Sequence, residues 1–144
     1  DEGIHYLSLV TDAYSRKILG HHLSDDMAAS SVVKALDQML KGRMDRGEAI
    51  HHSDRGLQYC SELYQARLAK NDIKPSMTTG YDCYQNALAE RINGILKHEF
   101  LIHRYKSKAE LAQVVKESIY AYNHLRPHSS LGMKTPAFVH KKAN

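Results

Sequence analysis

Apolar and polar positions along the 144-residue chain switch between a short, strand-like rhythm and a helical one. Ile4 to Val10 ("IHYLSLV") reads as a strand rich in β-branched and aromatic residues. "TDAYSR" then supplies turn chemistry through Asp12 and Ser15, and Lys17 to Leu23 ("KILGHHL") returns, so the spacing predicts a hairpin. Asp26 is placed to cap a helix reaching about Leu40, with Val32, Leu36, Met39 and Leu40 on one face. Gly42 and Gly47 bracket a loop before a short strand, Glu48 to His52. Ser61 opens a helix through about Lys70, and Ile73 to Met77 is a further strand. Thr78 to Gln85 reads as a polar loop, followed by a long helix from about Asn86 to His103. "SKAE", Ser107 to Glu110, matches a capping box for a final helix carrying Leu111, Val114, Val115, Ile119 and Tyr122 at helical spacing. Pro127 ends that helix, and the remainder is expected to be an irregular tail. Strands alternating with helices after an opening hairpin predict an α/β layered sheet.

Composition narrows the class. Hydrophobic residues make up 42% and charged residues 25%, a balance ordinary for a globular domain. No apolar run approaches the roughly 20 residues needed to cross a bilayer. Cys60 and Cys83 have no CxxC spacing and read as reduced thiols of a cytosolic protein. Net charge is +4, but its distribution is uneven: residues 1–96 carry a balance of −2 and residues 97–144 a balance of +6. Carboxylates in front of a basic rear suit chemistry on a polyanion; a solvated basic tail explains the same asymmetry.

The candidate chemistry sits in two places. In "AIHHSDRGLQY", Ala49 to Tyr59, Asp54 lies just past a predicted strand, at the sheet edge where functional groups collect in α/β folds, and Gly56 allows a sharp turn. A plain turn accounts for the same letters. His51 and His52 with Cys60 admit a zinc reading, which lacks the four protein ligands of a structural site. The second place is the helix from Asn86. Asn86, Glu90, Asn93 and Lys97 are four, three and four residues apart and form one narrow polar stripe, opposite Leu88, Ile92, Ile95 and Ile102, with Glu99 interrupting the apolar side. Such a stripe is also what a solvated face looks like.

"HSDRGLQY" at 52–59 and "NALAERINGILK" at 86–97 resemble the catalytic cores of retroviral-integrase-like DDE transposases from bacterial insertion sequences. Thirty-five residues separate Asp54 from Glu90, the spacing that names the Asp-Asp-35-Glu group. "YLSLVTDAYSRKILGHHL", Tyr6 to Leu23, and "YNHLRPHSSLGMKTP", Tyr122 to Pro136, resemble the opening and terminal blocks of the same family. The resemblance implies a ribonuclease H-like fold, a five-stranded mixed sheet flanked by helices. It also implies a catalytic core over residues 1–125 and a terminal signature with a basic tail over 126–144. It makes Asp54 and Glu90 catalytic ligands of two Mg²⁺ ions, with Mn²⁺ as a substitute, in an enzyme that cuts DNA and joins 3′ ends to target DNA. Lys97 matches a lysine contacting DNA near the reacting end, and Asn93, Arg55, Gln58, Arg126 and His128 are further expected DNA contacts. A homo-oligomeric complex with element-end and target DNA, in the bacterial cytoplasm at the nucleoid and without a membrane, completes the expectation.

The family pattern needs three carboxylates, and two are matched. The first aspartate belongs on a central strand ahead of "YLSLV", where this sequence has only Asp1, Glu2 and Gly3 before Ile4. Asp12 falls in the hairpin turn, where an aspartate bonds its own backbone. The expectation is therefore a truncated core with its first strand missing, showing a split sheet, a strand borrowed from a neighbour or an incomplete sheet, and little or no cleavage by this piece alone. Two other readings stay open: a DNA-binding or assembly module on the same fold without chemistry, and a ribonuclease H-like nuclease that cuts without joining.

Overall fold

Tyr6–Thr11 (β1) and Ile18–Ser24 (β2) form a two-stranded sheet in a computed structural model that describes residues 5–42, 49–53, 57–77, 83–99 and 106–143. The turn between them is closed by the Asp12 N–H donating to Lys17 O at 2.9 Å. The Asp12 carboxylate accepts the Tyr14 N–H at 2.9 Å, the local role expected of an aspartate in a turn. Arg16 closes the reversal in the left-handed region, φ 66°.

The first helix, Ala29–Gly42 (α1), starts three residues after Asp26. Asp26 still anchors its approach: the carboxylate accepts the Ala28 N–H at 3.1 Å and the Ser31 hydroxyl at 2.9 Å. The Ala28 bond first, and the Ser31 bond next, hold its carboxyl below the usual range. Gly20 of β2 lies so close to this helix that a Cβ there would stand 2.1 Å from Ala35 O. Only a residue without a side chain allows that approach.

Ala49–Ser53 (β3) and Ile73–Met77 (β4) pair in parallel, with His51 opposite Pro75 and His52 opposite Ser76. Parallel neighbours need a crossover, and Leu57–Cys60 (α2) and Glu62–Lys70 (α3) provide it. The Ser61 hydroxyl oxygen caps α3 by accepting the Tyr64 N–H at 3.2 Å. Val32, Val33, Leu36, Tyr64, Leu68 and Ile73 form the core beneath, with Met39, Leu40 and Tyr59 packed on it. Tyr59 and Tyr64 meet edge to face at 5.2 Å, and burial pushes the Tyr64 phenol well above its ordinary range.

The long helix Cys83–His98 (α4) begins three residues earlier than the periodicity predicts. Lys108–His124 (α5) carries the predicted box: Ser107 Oγ accepts the Glu110 N–H at 3.1 Å, and Glu110 accepts the Lys106 N–H at 3.0 Å. Leu111, Val115, Ile119 and Tyr122 are buried along it. The tail is not irregular as expected. A 3₁₀ turn, Ser129–Leu131, leads to a helix at Pro136–Ala143 (α6). Thr135 starts α6 by accepting the Phe138 N–H through its hydroxyl, and Pro136 occupies the first helical position, where it loses no hydrogen bond.

Contacts divide the chain into two compact units, residues 1–2, 11–18 and 86–144 in one and residues 3–10 and 19–85 in the other. Among the described residues the strands make two separate two-stranded sheets, order β1-β2 and β3-β4, with no fifth strand joining them. That is the split sheet expected from the sequence.

Candidate functional site

α4 carries most of the predicted site that the structure describes. Ile92, Ile95 and Leu96 are buried on one side of it, at 3%, 6% and 1% exposure. Glu90, Asn93 and Lys97 are exposed on the other. The four-three-four spacing therefore becomes a polar face, and Glu90 and Lys97 stand two turns apart, about 10 Å along the axis. The earlier start of α4 moves Glu90 from the first turn, where the sequence predicts it, to the eighth helical residue. The side chain of Asn86, the head of the predicted stripe, is outside the described residues.

Asp54 and Arg55 also lie outside the described residues. Ser53 ends β3 at the C-terminal edge of the parallel pair, where ligands bind in open α/β sheets, and Asp54 is the next residue in the sequence. Gln58 is the second residue of α2. His51 and His52 hold consecutive places in the β3 register, and their side chains are likewise outside the described set. Among the described residues no three histidine, cysteine or carboxylate side chains gather as a metal site.

Arg126 and His128, predicted as DNA contacts, have structural duties in this conformation. The Arg126 guanidinium forks onto Glu99, with Nε and Nη2 each donating to a carboxylate oxygen at 2.6 Å. The guanidinium beside it holds the Glu99 carboxyl below its ordinary range, and Arg126 is raised in turn. Glu99, which breaks the apolar periodicity of α4, is thus explained by a partner 27 residues away. His128 is only 3% exposed and packs edge to face against Tyr122 at 5.1 Å. Its Nε2 has no hydrogen-bond partner among the described residues. Burial, then the nearby positive charge of Arg126, Arg16 and Arg91, pulls its pKa down to about 4. A neutral, packed imidazole is a poor phosphate contact, so this ring must leave its pocket to become one.

Several long-range contacts that hold this part of the molecule were not signalled by the sequence pattern. Asn123, 6% exposed, accepts the Ile18 N–H and donates to Ile18 O, both at 2.9 Å. Tyr122, fully buried, donates its hydroxyl to Arg16 O at 2.9 Å, and burial pushes its pKa up to about 12. His140 Nδ1 lies 3.1 Å from the buried Ser15 hydroxyl and 2.9 Å from Asp12 Oδ2, which ties α6 to the hairpin turn. Both of these contacts use the same ring nitrogen. Single polar residues 105 to 128 positions from their partners leave no local sequence signal.

Two family models, both describing an integrase core domain, match residues 1–83 and 71–136. A putative transposase for insertion sequence element IS986/IS6110 from Mycobacterium tuberculosis is 43% identical over 104 residues, 69% of this chain and 37% of that protein. The IS600 uncharacterized 31 kDa protein of Shigella sonnei is 36% identical over 98% of the chain and 53% of its own length. Transposase InsF for IS3A from Escherichia coli K12 is 36% identical over 94% and 48%. The chain thus spans about half the length, or less, of these curated relatives. Among solved structures, the HTLV-2 integrase catalytic core domain in complex with magnesium, trimeric form, matches with TM-score 0.74 at 18% identity, covering 95% of this chain and 90% of that one. A simian T-cell lymphotropic virus intasome chain matches with TM-score 0.77 at 20% identity, covering 96% and 49%. At those identities the likeness is one of fold, the ribonuclease H-like core.

Proposed function

Since this chain belongs to the integrase-core family of bacterial insertion-sequence transposases, we propose that it is the part of such an enzyme that cuts DNA strands and joins their 3′ ends to target DNA. The observation that carries the reading is the polar face of α4, with Glu90, Asn93 and Lys97 exposed on a helix anchored by Ile92, Ile95 and Leu96. A carboxylate, an amide and an ammonium spaced along one rigid face suit a cation and a phosphate backbone together.

In this reading Asp54 and Glu90 hold Mg²⁺, for which Mn²⁺ substitutes; carboxylate oxygens are the hard ligands that such ions take. A pair of these ions, when bound, would activate the attacking oxygen and neutralise the leaving one. The chain's own residues do the rest. Lys97 and Asn93 contact the backbone beside the reacting phosphate, fixing its place without reading sequence. Arg55 and Gln58, one and four residues after Asp54, are assigned the strand on that side. The HTLV-2 core relatives exist in dimeric and trimeric forms, and a multimeric complex on DNA in the bacterial cytoplasm is part of the proposal.

The test is strand transfer in Mg²⁺ with this sequence carried in a protein of the relatives' full length. Asp54→Asn and Glu90→Gln are each expected to lower the rate at least 1,000-fold while leaving DNA binding in place, because each removes charge at a two-metal centre. Lys97→Gln is expected to weaken DNA binding and reduce its salt dependence by about one contact. Wild-type joining rates in both carboxylate variants would refute the assignment.

A further inference from the structure

The 3₁₀ turn, α6 and the hairpin turn enclose an open groove of about 440 Å³, lined by Tyr14, Leu131, Lys134, Phe138, Val139 and Lys142 among others. Among the described residues no carboxylate lines it. Two ammonium groups stand over one ring: Lys134 Nζ lies 5.0 Å and Lys142 Nζ 5.7 Å from the Phe138 centroid. The ring they flank is 44% exposed, and Tyr14 is 71% exposed. Residues 126–144 contain four lysines and arginines and no acidic residue. Large aromatic rings normally bury their faces, and two lysines normally avoid each other. Their convergence in one groove matches a ligand that is both flat and anionic. We propose that this groove binds single-stranded DNA, with bases stacking on Tyr14 and Phe138 and adjacent phosphates paired to Lys134 and Lys142.

The chemistry favours a single strand over other polyanions. Stacking platforms flanked by cations are how proteins hold unpaired nucleotides without reading their sequence. A duplex keeps its base faces covered and has no use for the rings. An acidic peptide uses the lysines and leaves the rings idle. The inference rests on the DNA-handling reading above but involves neither Asp54 nor Glu90, so a second strand contact outside the metal centre is what it adds.

The probe is a fluorescent oligodeoxythymidine titrated onto the chain in EDTA at a series of NaCl concentrations, with thermal melting of each variant as a folding control. Lys134→Gln with Lys142→Gln is expected to lower the slope of log K against log salt by about 1.4, since each phosphate contact on a single strand contributes about 0.7. Tyr14→Leu and Phe138→Leu are each expected to weaken binding roughly 5- to 100-fold with the slope unchanged, and Phe138→Tyr to restore it. Wild-type affinity and slope in the lysine and ring variants overturn the proposal. So does a preference for duplex of equal length, or displacement by polyglutamate in which ring substitution has no effect. Normal binding by the groove variants beside lost joining in Glu90→Gln would sink this inference alone, whereas joining retained in Glu90→Gln and Asp54→Asn would sink the functional reading and leave the slope result intact.

Discussion

Gly20 and His128 show how much of this molecule hangs on single side chains, one by its absence and one by its burial. Because a Cβ at residue 20 would meet Ala35 O at 2.1 Å and Met39 N at 3.0 Å, backbone on both counts, neither partner can swing aside. Gly20→Ala is therefore expected to destabilise by about 1–3 kcal/mol, the usual cost of overpacking, read as a shifted urea midpoint at unchanged slope. His128 makes stability depend on pH. Its folded pKa of about 4 lies below the ordinary value of 6.5, so the unfolded chain binds the proton first as pH falls. Its contribution is fully present above pH 6.5 and is lost between 6.5 and 4, with a slope on the order of 1 kcal/mol per pH unit. His128→Gln is expected to flatten urea midpoints measured across that window. A wild-type protein equally stable at pH 7 and pH 4.5 would contradict the buried neutral ring. Glu99 acts lower on the scale: its carboxyl is depressed by Arg126, so that pair holds above the ordinary carboxylate pKa and fails only in stronger acid.

The joints between elements are the next scale, and Asn123 is the clearest. It satisfies both the donor and the acceptor of Ile18, itself 4% exposed. Asn123→Leu leaves both backbone groups without a side-chain partner, at about 1–3 kcal/mol for each buried orphan. Amide exchange at Ile18 is expected to accelerate correspondingly. Sequence legibility follows the range of the forces involved. Ser61 and Ser107 cap α3 and α5 as the letters predict, because a cap is made within four residues of itself. β4 begins and ends where β-branched Ile73 and the turn-forming letters after Met77 place it. The stretch that forms α6 reads as irregular tail, although Thr135 and Pro136 carry a local signal for it, a capping hydroxyl and a first-turn proline. Three places were not legible. The start of α4 at Cys83 overrides polar residues that read as loop. The Glu99–Arg126 fork and the burial of His128 are tertiary facts that no local period carries. The polar face of α4 was visible as spacing, while its meaning came from Asp54, 36 positions upstream.

For the molecule as a whole, the basic last third of the sequence matters more than net charge. Residues 97–144 carry a balance of +6, and in this part of the chain lie Lys97, the lysine-flanked groove and α6. No helix among the described residues is long and apolar enough to cross a membrane. α6 is an integral piece: Pro136 is fully buried, and His140 reaches back to Ser15 and Asp12. Deleting residues 136–144 is expected to lower the thermal midpoint by roughly 5–10 °C, a loss of a few kcal/mol at this chain length. A midpoint unchanged by the deletion would show that the helix is only an appendage.

The Ser15–His140 contact also orders events during synthesis. Segments 11–18 and 86–144 build one unit between them, so residues 11–18 leave the ribosome long before the moment at which residues 86–144 complete their unit. The unit containing residues 19–85 has its main segment out of the exit tunnel well before that moment and folds first. Until α5 and α6 emerge, the Ile18 backbone lacks Asn123 and the Ser15 hydroxyl lacks His140, so this unit closes only when residues far apart in the order of synthesis are present together.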